Sequence, residues 1–210
     1  MAISLVKGQK ISLTKSGSGA GSGNLNRVMV GLGWDAIGGG KGGFFANILN
    51  TENADIDCDA SVIFCGANGK VVGRSVNDYL VYFGNKKAFG GAVAHGGDNL
   101  TGEGEGDDEV IQIDLNKIPI QVQKLVFVVN IYSASSRKQH FGMIKNAFIR
   151  LVDCSSGKEI CKYLLNEEYT GMEGMVFAEI YRRNDEWKFN AIGQPVRKAS
   201  SVRDILEAYM

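Results

Sequence analysis

Short runs in which apolar and polar residues alternate cover most of the chain, and this period of two is the pattern of half-buried β-strands. It predicts strands at about residues 3–6, 9–14, 27–34, 56–64, 79–83, 110–115, 124–132, 147–153, 159–165, 174–182 and 187–192. The run at 126–129 is apolar throughout and predicts a central strand. Gly, Asn, Asp and Ser mark turns between several runs, as at 67–70 and 155–158. Many short strands joined by such turns predict an all-β domain, either a sandwich or a barrel.

The end of the chain changes to a helical period. The i, i+3, i+4, i+7 spacing of one helix face is filled by Val202, Ile205, Leu206 and Tyr209. Ser200 or Ser201 is suited to the N-cap, and Asp204 in the first turn suits the helix dipole. We therefore expect a short C-terminal helix that packs on the β-domain.

Length and charge narrow the class of protein. The 210 residues are enough for one domain covering residues 1–210. No apolar stretch approaches the roughly 18 residues that cross a bilayer. The 23 basic and 23 acidic residues balance, whereas nucleic-acid-binding proteins usually carry a basic excess. We expect neither direct membrane insertion nor a nucleic-acid partner.

Cysteine and histidine usage argues against a zinc site. No CxxC pair occurs among Cys58, Cys65, Cys154 and Cys161, and the chain has only two histidines. The first residues lack the apolar core and cleavage site of a signal peptide. Together these features predict a cytoplasmic protein with reduced thiols.

The strongest chemical signal is the segment 97–109, GDNLTGEGEGDDE. Glycines are interleaved there with six carboxylates: Asp98, Glu103, Glu105, Asp107, Asp108 and Glu109. Two like charges 4 Å apart repel by about 1 kcal/mol even in water. Oxygen-only donors suit a hard cation, and the glycines allow backbone carbonyls to join them. Calcium accepts irregular shells of about 6–8 oxygens, whereas magnesium requires a tight octahedron, so we predict a calcium site.

Residues 55–62, DIDCDASV, form a second acidic cluster. Alternation along a strand places Asp55, Asp57 and Asp59 on one face and apolar side chains on the other, core-facing side. Aspartates stacked on one strand face are destabilising unless a cation or basic side chains offset them. Asp35, at the end of the strand before a loop, is a further candidate ligand.

Other interpretations of these residues exist. A solvated acidic loop without metal would carry the same charges. An EF-hand beginning at Asp98 would place Leu100 and Gly102 at ligand positions. The run GLGWDA at 31–36 matches a dinucleotide-binding pattern, but glycines follow where a helix must begin. His95 is either an ordinary loop histidine or the base of a metal-dependent hydrolase.

Several blocks resemble the TerD family of tellurite-resistance and stress proteins. Residues 97–109 match the family pattern GDNxTGxGxGDDE at every fixed position. Residues 30–35, VGLGWD, match a second block, and 57–61 match DLDAS with Cys58 in place of Leu. Further matches follow in the family's order at 141–142, 146–150, 179–182 and 186–189.

The resemblance implies a two-sheet β-sandwich that binds two calcium ions on one side, in a cytosolic protein without catalytic activity. The fold expectation is then all-β, a two-sheet sandwich with a short C-terminal helix. By matching positions the resemblance implies as ligands Asp57, Asp59, Asp98, Glu105, Asp107, Asp108 and Glu109, with the backbone carbonyl of Asn99. The residue patterns add Asp35 and Glu103, which like Glu105 lies at a variable position of the family pattern.

The chain departs from the family at the Gly/Ser-rich insertion 16–24, at the longer stretch 38–54, and at 130–133 (NIYS), where an Ile-His-Asp-like run is usual. It also departs from Val196 onwards. We predict a calcium-dependent interaction module of a stress response whose partners are unidentified proteins, other family members among them. The alternative is a module that binds a small ligand such as a cyclic nucleotide.

Overall fold

The computed structural model describes residues 2–14, 25–36, 56–96, 106–184 and 186–210. Its strands are β1 (Ile3–Leu5), β2 (Lys10–Ser12), β3 (Arg27–Ala36), β4 (Cys58–Cys65), β5 (Leu80–Val81), β6 (Lys87–Ala88), β7 (Val93–His95), β8 (Glu109–Asp114), β9 (Lys124–Ile131), β10 (Ile144–Asp153), β11 (Lys158–Leu164), β12 (Gly174–Arg183) and β13 (Glu186–Val196). Its helices are α1 (Val76–Tyr79), α2 (Ala134–Arg137) and α3 (Val202–Leu206), with 3-10 turns at Phe89–Gly91, Leu115–Lys117, Phe141–Met143 and Glu207–Tyr209.

These strands form two sheets, which confirms the predicted sandwich. Sheet A has the order β1-β11-β10-β3-β8-β7-β6, and sheet B has the order β2-β13-β12-β9-β4-β5. Within the described residues, β1 and β11 pair in parallel and the other named pairs are antiparallel. Antiparallel sheets of this kind bury one face against each other and leave the other face for solvent or covering segments.

The main core lies between the two sheets. Alternate residues of sheet A, such as Val30 and Ile149, pack in one cluster with Phe127 and Phe189 of sheet B. Each of these four side chains is fully buried. The prediction of a central strand at 126–129 is confirmed, because β9 lies between β12 and β4 and is buried along its length.

A second, smaller core covers the outer face of sheet B. Ile205 and Leu206 of α3 pack there in one cluster with Val128 and Val176. The carboxylate of Asp204 accepts hydrogen bonds from the backbone N–H and the hydroxyl of Ser201 at 2.9 and 3.0 Å. The predicted C-terminal helix and its docking are confirmed, and Ser201 precedes its first turn.

The sequence prediction was only partly right in the segment 76–95. The expected strand at 79–83 is reduced to β5, because α1 occupies the residues before it. Two short strands, β6 and β7, were not predicted, since each is too short to show a period of its own and is held by pairing along the sheet. No helix within the described ranges has the length and apolarity needed to cross a membrane.

Candidate metal site

The predicted ligands that the structure describes gather at one end of the sandwich, which we call the acidic end. They are Asp35 near the end of β3, Asp57 and Asp59 around the start of β4, and Asp107, Asp108 and Glu109 at the start of β8. β3 and β8 run antiparallel with Leu32 opposite Glu109, so the end of one strand meets the start of the other. The remaining candidates, Asp98, Asn99, Glu103 and Glu105, lie outside the described residues, as do Asp55 and the two insertions.

Asp107 lies on the outer face of sheet A. Leu32 of β3 points into the core, so its neighbour Gly31 faces outwards, and the carboxylate of Asp107 occupies the space that a Cβ of Gly31 would fill. Arg150 donates from Nε and Nη2 to the two oxygens of this carboxylate at 2.7 and 2.8 Å. Nη1 donates to Glu159 at 3.1 Å. Hydrogen bonding to Asp107 raises the pKa of Arg150 above its ordinary value.

Asp35 is held on the same outer face by Asn146, whose side-chain amide donates to its carboxylate at 2.6 Å. Asn146 has φ 55° and sits at a bulge in β10. Next along the strand, the Phe148 ring lies over Gly33, where a Cβ would come within 2.5 Å of it. Positions 146, 148 and 150 of β10 therefore lie beside three successive outward-facing positions of β3, which are 35, 33 and 31.

Glu109 faces inwards, between the sheets. Its Oε2 lies 2.8 Å from Nε2 of His95, and both side chains are 1% exposed. The same Nε2 lies 3.1 Å from the carbonyl oxygen of Ala60 in sheet B, so this contact ties the two sheets together. Burial lowers the pKa of His95, but the hydrogen bond and charge of Glu109 outweigh it and the pKa is raised. The interpretation of His95 as a loop histidine is wrong, because it ends β7 and is buried.

Asp59 lies on the outer face of sheet B. The predicted alternation is correct, since Cys58 and Ala60 belong to the main core. The opposite face is also covered, and Asp59 is only 7% exposed. Its carboxylate accepts a hydrogen bond from Asn130 at 3.3 Å. Within the described residues, Oδ1 of Asn130 and Oγ of Ser61 are buried without a hydrogen-bond partner.

Negative charge is crowded at the acidic end. Burial raises the pKa of Asp108, and the charges of Asp35 and Asp107 raise it further. The backbone N–H of Trp34 donates to Asp108 at 2.8 Å and lowers the pKa, but the net shift is upwards. Burial likewise raises the pKa of the Cys58 thiol well above its usual value, with contributions from Asp59, Asp57, Asp108 and Glu109. Acids from both sheets therefore lie within electrostatic reach of the Cys58 thiol.

The six described candidates nevertheless do not converge on one point. Asp107 and Asp59 lie on opposite outer faces, and packed sheets are about 10 Å apart. A single ion therefore cannot contact both carboxylates. Within the described residues, no group of three or more His, Cys, Asp or Glu side chains is arranged to hold a metal ion. A cleft of about 310 Å³ lies at this end, bordered by Trp34, Asp35, Gly106, Asp108, Asn146, Phe148, Lys162 and Leu164.

Sequence reasoning missed the partners of the acids. Arg150 and Asn146 lie in the matched block 146–150, and their spacing on one face of a strand was the available signal. Asn130 is part of the departure at 130–133, and nothing in its local sequence pointed to Asp59. His95 was noticed for its position beside the loop, but its pairing with Glu109 depends on the register of β7 and β8.

The fold and the site together define the class of this protein: it is a two-sheet β-sandwich with carboxylates gathered at one end. The model of the TerD domain matches residues 1–209, and the chain belongs to the TerD family of tellurium-resistance and general stress-response proteins. It is 51% identical over 210 residues to stress response protein SCP2 of Bacillus subtilis (strain 168), covering 100% of both chains.

Other comparisons agree with this assignment. The chain is 42% identical over 194 residues to tellurium resistance protein TerD of Serratia marcescens, covering 92% of this chain and 91% of that protein. Among solved structures, a homologue of telluride resistance protein (TerD) from Streptomyces coelicolor A3(2) superposes with a TM-score of 0.61 and 19% identity. That match covers 83% of this chain and 92% of the other, and it shows the shared fold.

Proposed function

We propose that the protein is a non-enzymatic, cytoplasmic, calcium-dependent interaction module of a stress response. Calcium would neutralise the acidic end and thereby stabilise a surface that binds a protein partner, such as another family member. The observation that carries the proposal is the crowding of carboxylates at this end. Beyond the effect of burial, the charges of Asp35 and Asp107 raise the pKa of Asp108, and acids from both sheets raise that of Cys58. A divalent cation relieves this kind of repulsion.

The donor set fits a hard cation, since it consists of oxygens. We propose four of the described carboxylates as ligands: Asp35 and Asp108 at the border of the cleft, and Asp57 and Asp59 around the start of β4 in the other sheet. Bound calcium would supply positive charge and a fixed geometry there, and the chain supplies the oxygens. The separation of the candidates over two sheet faces favours the predicted two ions over one, and Asp98, Asn99, Glu103 and Glu105 remain predicted ligands.

Titration of the chelated protein with calcium tests this function. We expect binding by calorimetry, a preference for calcium over magnesium, and a rise in Tm, since a ligand at 100 times its Kd adds about 2.7 kcal/mol. Asp108→Asn should weaken binding. Asp114→Asn is the matched control, because Asp114 ends the same strand, away from the acidic end, and pairs with Lys117. The proposal would be contradicted if the wild-type protein gave no heat of binding and no shift in Tm with calcium.

The partner-binding part of the proposal needs its own measurement. Purified TerD-family proteins from the same cell would be tested for association with this chain in calcium and in chelator. Association that requires calcium and is lost in Asp108→Asn supports an interaction module. Calcium binding without any calcium-dependent association would leave a calcium-binding protein of another kind.

The cleft at the acidic end favours one alternative, a small anionic ligand. Its volume suits a small molecule, and Lys162 on its border offers a positive charge. The neighbouring acids repel phosphate unless a cation lies between them. Calorimetry with a cyclic nucleotide, in calcium and in chelator, distinguishes this alternative from a protein-binding module.

A further inference from the structure

Asp107 and Arg150 form a bidentate ion pair at the acidic end. Two N–H groups of one guanidinium donate to the two oxygens of one carboxylate, which is the strong bidentate arrangement. The Asp107 side chain is 7% exposed and that of Arg150 is 30% exposed, so the carboxylate is shielded from water while the guanidinium is partly solvated. Arg150 is itself fixed from the other side by Glu159. Both oxygens of Asp107 are thus already engaged by protein.

The sheet surface below this pair is shaped to receive it. Because Gly31 has no Cβ, the carboxylate of Asp107 lies directly on the backbone of β3. Any other residue at position 31 would occupy the place of the carboxylate. Asp107 is therefore enclosed between the floor at Gly31 and the guanidinium of Arg150.

The fixed position of Asp107 determines where the next residue points. The backbone N–H of Asp108 donates to the carbonyl oxygen of Leu32 at 2.8 Å. The carboxylate of Asp108 accepts from the N–H of Trp34 at 2.8 Å. With Asp107 held on the outer face, the chain enters β8 so that Asp108 turns to the cleft and Glu109 turns inwards to His95.

We propose that Arg150 is a positioning residue of the calcium site, acting through Asp107. Asp107 anchors the residues that lead into β8 and does not bind the ion. The inference rests on the proposed calcium-binding function and refines it, because it removes Asp107 from the predicted ligands. Asp108 remains a ligand, held in place by the anchor beside it.

The two roles of Asp107 predict opposite effects of losing Arg150. If Asp107 were a ligand, Arg150 would compete with calcium for it, and Arg150→Met would tighten calcium binding. If Asp107 is an anchor, Arg150→Met releases it and weakens calcium binding. Loss of residues that orient metal ligands costs about 10–100-fold in affinity, and we expect a rise in Kd of that size.

The experiment measures calcium Kd by calorimetry for Arg150→Met, Asp107→Asn and the double variant. Under the anchor role both single variants weaken binding to a similar degree, and the double variant is no weaker than either, since each breaks the same contact. Arg150→Lys should restore part of the affinity, because lysine keeps the charge but not the planar fork. Arg182→Met is the matched control: this half-buried arginine donates to the carbonyls of Ile118 and Val122, outside the acidic end.

Amide hydrogen exchange in the calcium-free protein gives a second readout that needs no metal. Arg150→Met should speed exchange of the backbone amides of Trp34 and Asp108, whereas Arg182→Met should not. Tighter or unchanged calcium binding in Arg150→Met would overturn the inference. If the wild-type protein binds no calcium, the proposed function fails, and exchange alone then decides whether Arg150 anchors this segment: faster exchange in Arg150→Met supports the anchor, and equal exchange in both variants overturns it.

Discussion

Two glycines of β3 lie beneath side chains that pack directly against their backbone. Gly31 and Gly33 face outwards from sheet A, and Asp107 and Phe148 from neighbouring segments occupy the space next to their backbone. Neither glycine has a positive φ, so the requirement is for space and not for an unusual backbone conformation. The GxG pattern resembles a dinucleotide-binding motif, but here it leaves room for Asp107 and Phe148 to pack against the backbone of β3.

Gly31→Ala should destabilise the protein by about 1–3 kcal/mol, the usual cost of overpacking. The new methyl group would displace the Asp107 carboxylate and break its contact with Arg150. Urea denaturation measures the change. Gly66→Ala is the control, because Gly66 is also buried and its added Cβ would meet no atom closer than Oδ1 of Asn68 at 3.3 Å. Equal losses in the two variants would contradict the role of Asp107 in this effect.

At the scale of elements, the C-terminal segment is attached to sheet B by one carboxylate as well as by apolar contacts. Glu173 accepts hydrogen bonds from the hydroxyls of Ser135 and Ser200 at 2.7 and 3.0 Å, and from the N–H of Ala199 at 3.1 Å. Ala199 itself is fully buried in the second core. Glu173 therefore joins the residues before α3 to α2.

This attachment should depend on pH. Burial raises the pKa of Glu173, but the hydrogen bonds outweigh it and the pKa lies below its ordinary 4.5. Because the folded-state pKa is depressed, the stabilisation is present above pH 4.5 and is lost as the pH falls through the folded-state pKa. Glu173→Gln should be less stable than wild type at pH 7, and the difference should shrink at pH values below 4.5. A difference that stays constant down to pH 3 in urea denaturation would contradict this explanation.

At the scale of the whole molecule, the solvent exposure of the cysteines shows how well the core of the sandwich is protected. Cys58, Cys65 and Cys161 are fully buried and Cys154 is exposed. Burial raises the pKa of Cys65 to about 11 and that of Cys161 to about 12. Thiols react as thiolates, so the buried cysteines are protected both by access and by their pKa.

A thiol reagent should therefore modify one cysteine per native chain quickly and the other three only as the chain unfolds. Mass spectrometry after timed labelling counts the modified sites. Cys154→Ser should abolish the fast reaction, and denaturant should expose all three remaining thiols together if the sandwich unfolds cooperatively. A second thiol that reacts quickly in the native protein would show that the core opens locally.

Local periodicity was sufficient for most of the fold. The period of two located the long strands β3, β10, β12 and β13, because burial of one face imposes it on each strand separately. The central strand β9 was marked by its continuous apolar run, because both of its faces are buried. The helical period of α3 was read in the same way. β6 and β7 were missed because, unlike the equally short β1 and β2, they lie in no longer alternating run of the sequence. Their strand geometry comes from pairing with a neighbour.

The sequence by itself determined an all-β domain and the concentration of carboxylates in two segments, because these follow from composition and from order along the chain. Its motifs indicated the family, and the resemblance implied the sandwich. Only the tertiary structure decided what each carboxylate touches. The register of β3 with β8 and β10 sets Asp107 opposite Arg150, and that of β7 with β8 sets Glu109 beside His95. These contacts join residues 14 to 43 positions apart in the chain, and distances between such residues are fixed by strand pairing and not by local sequence.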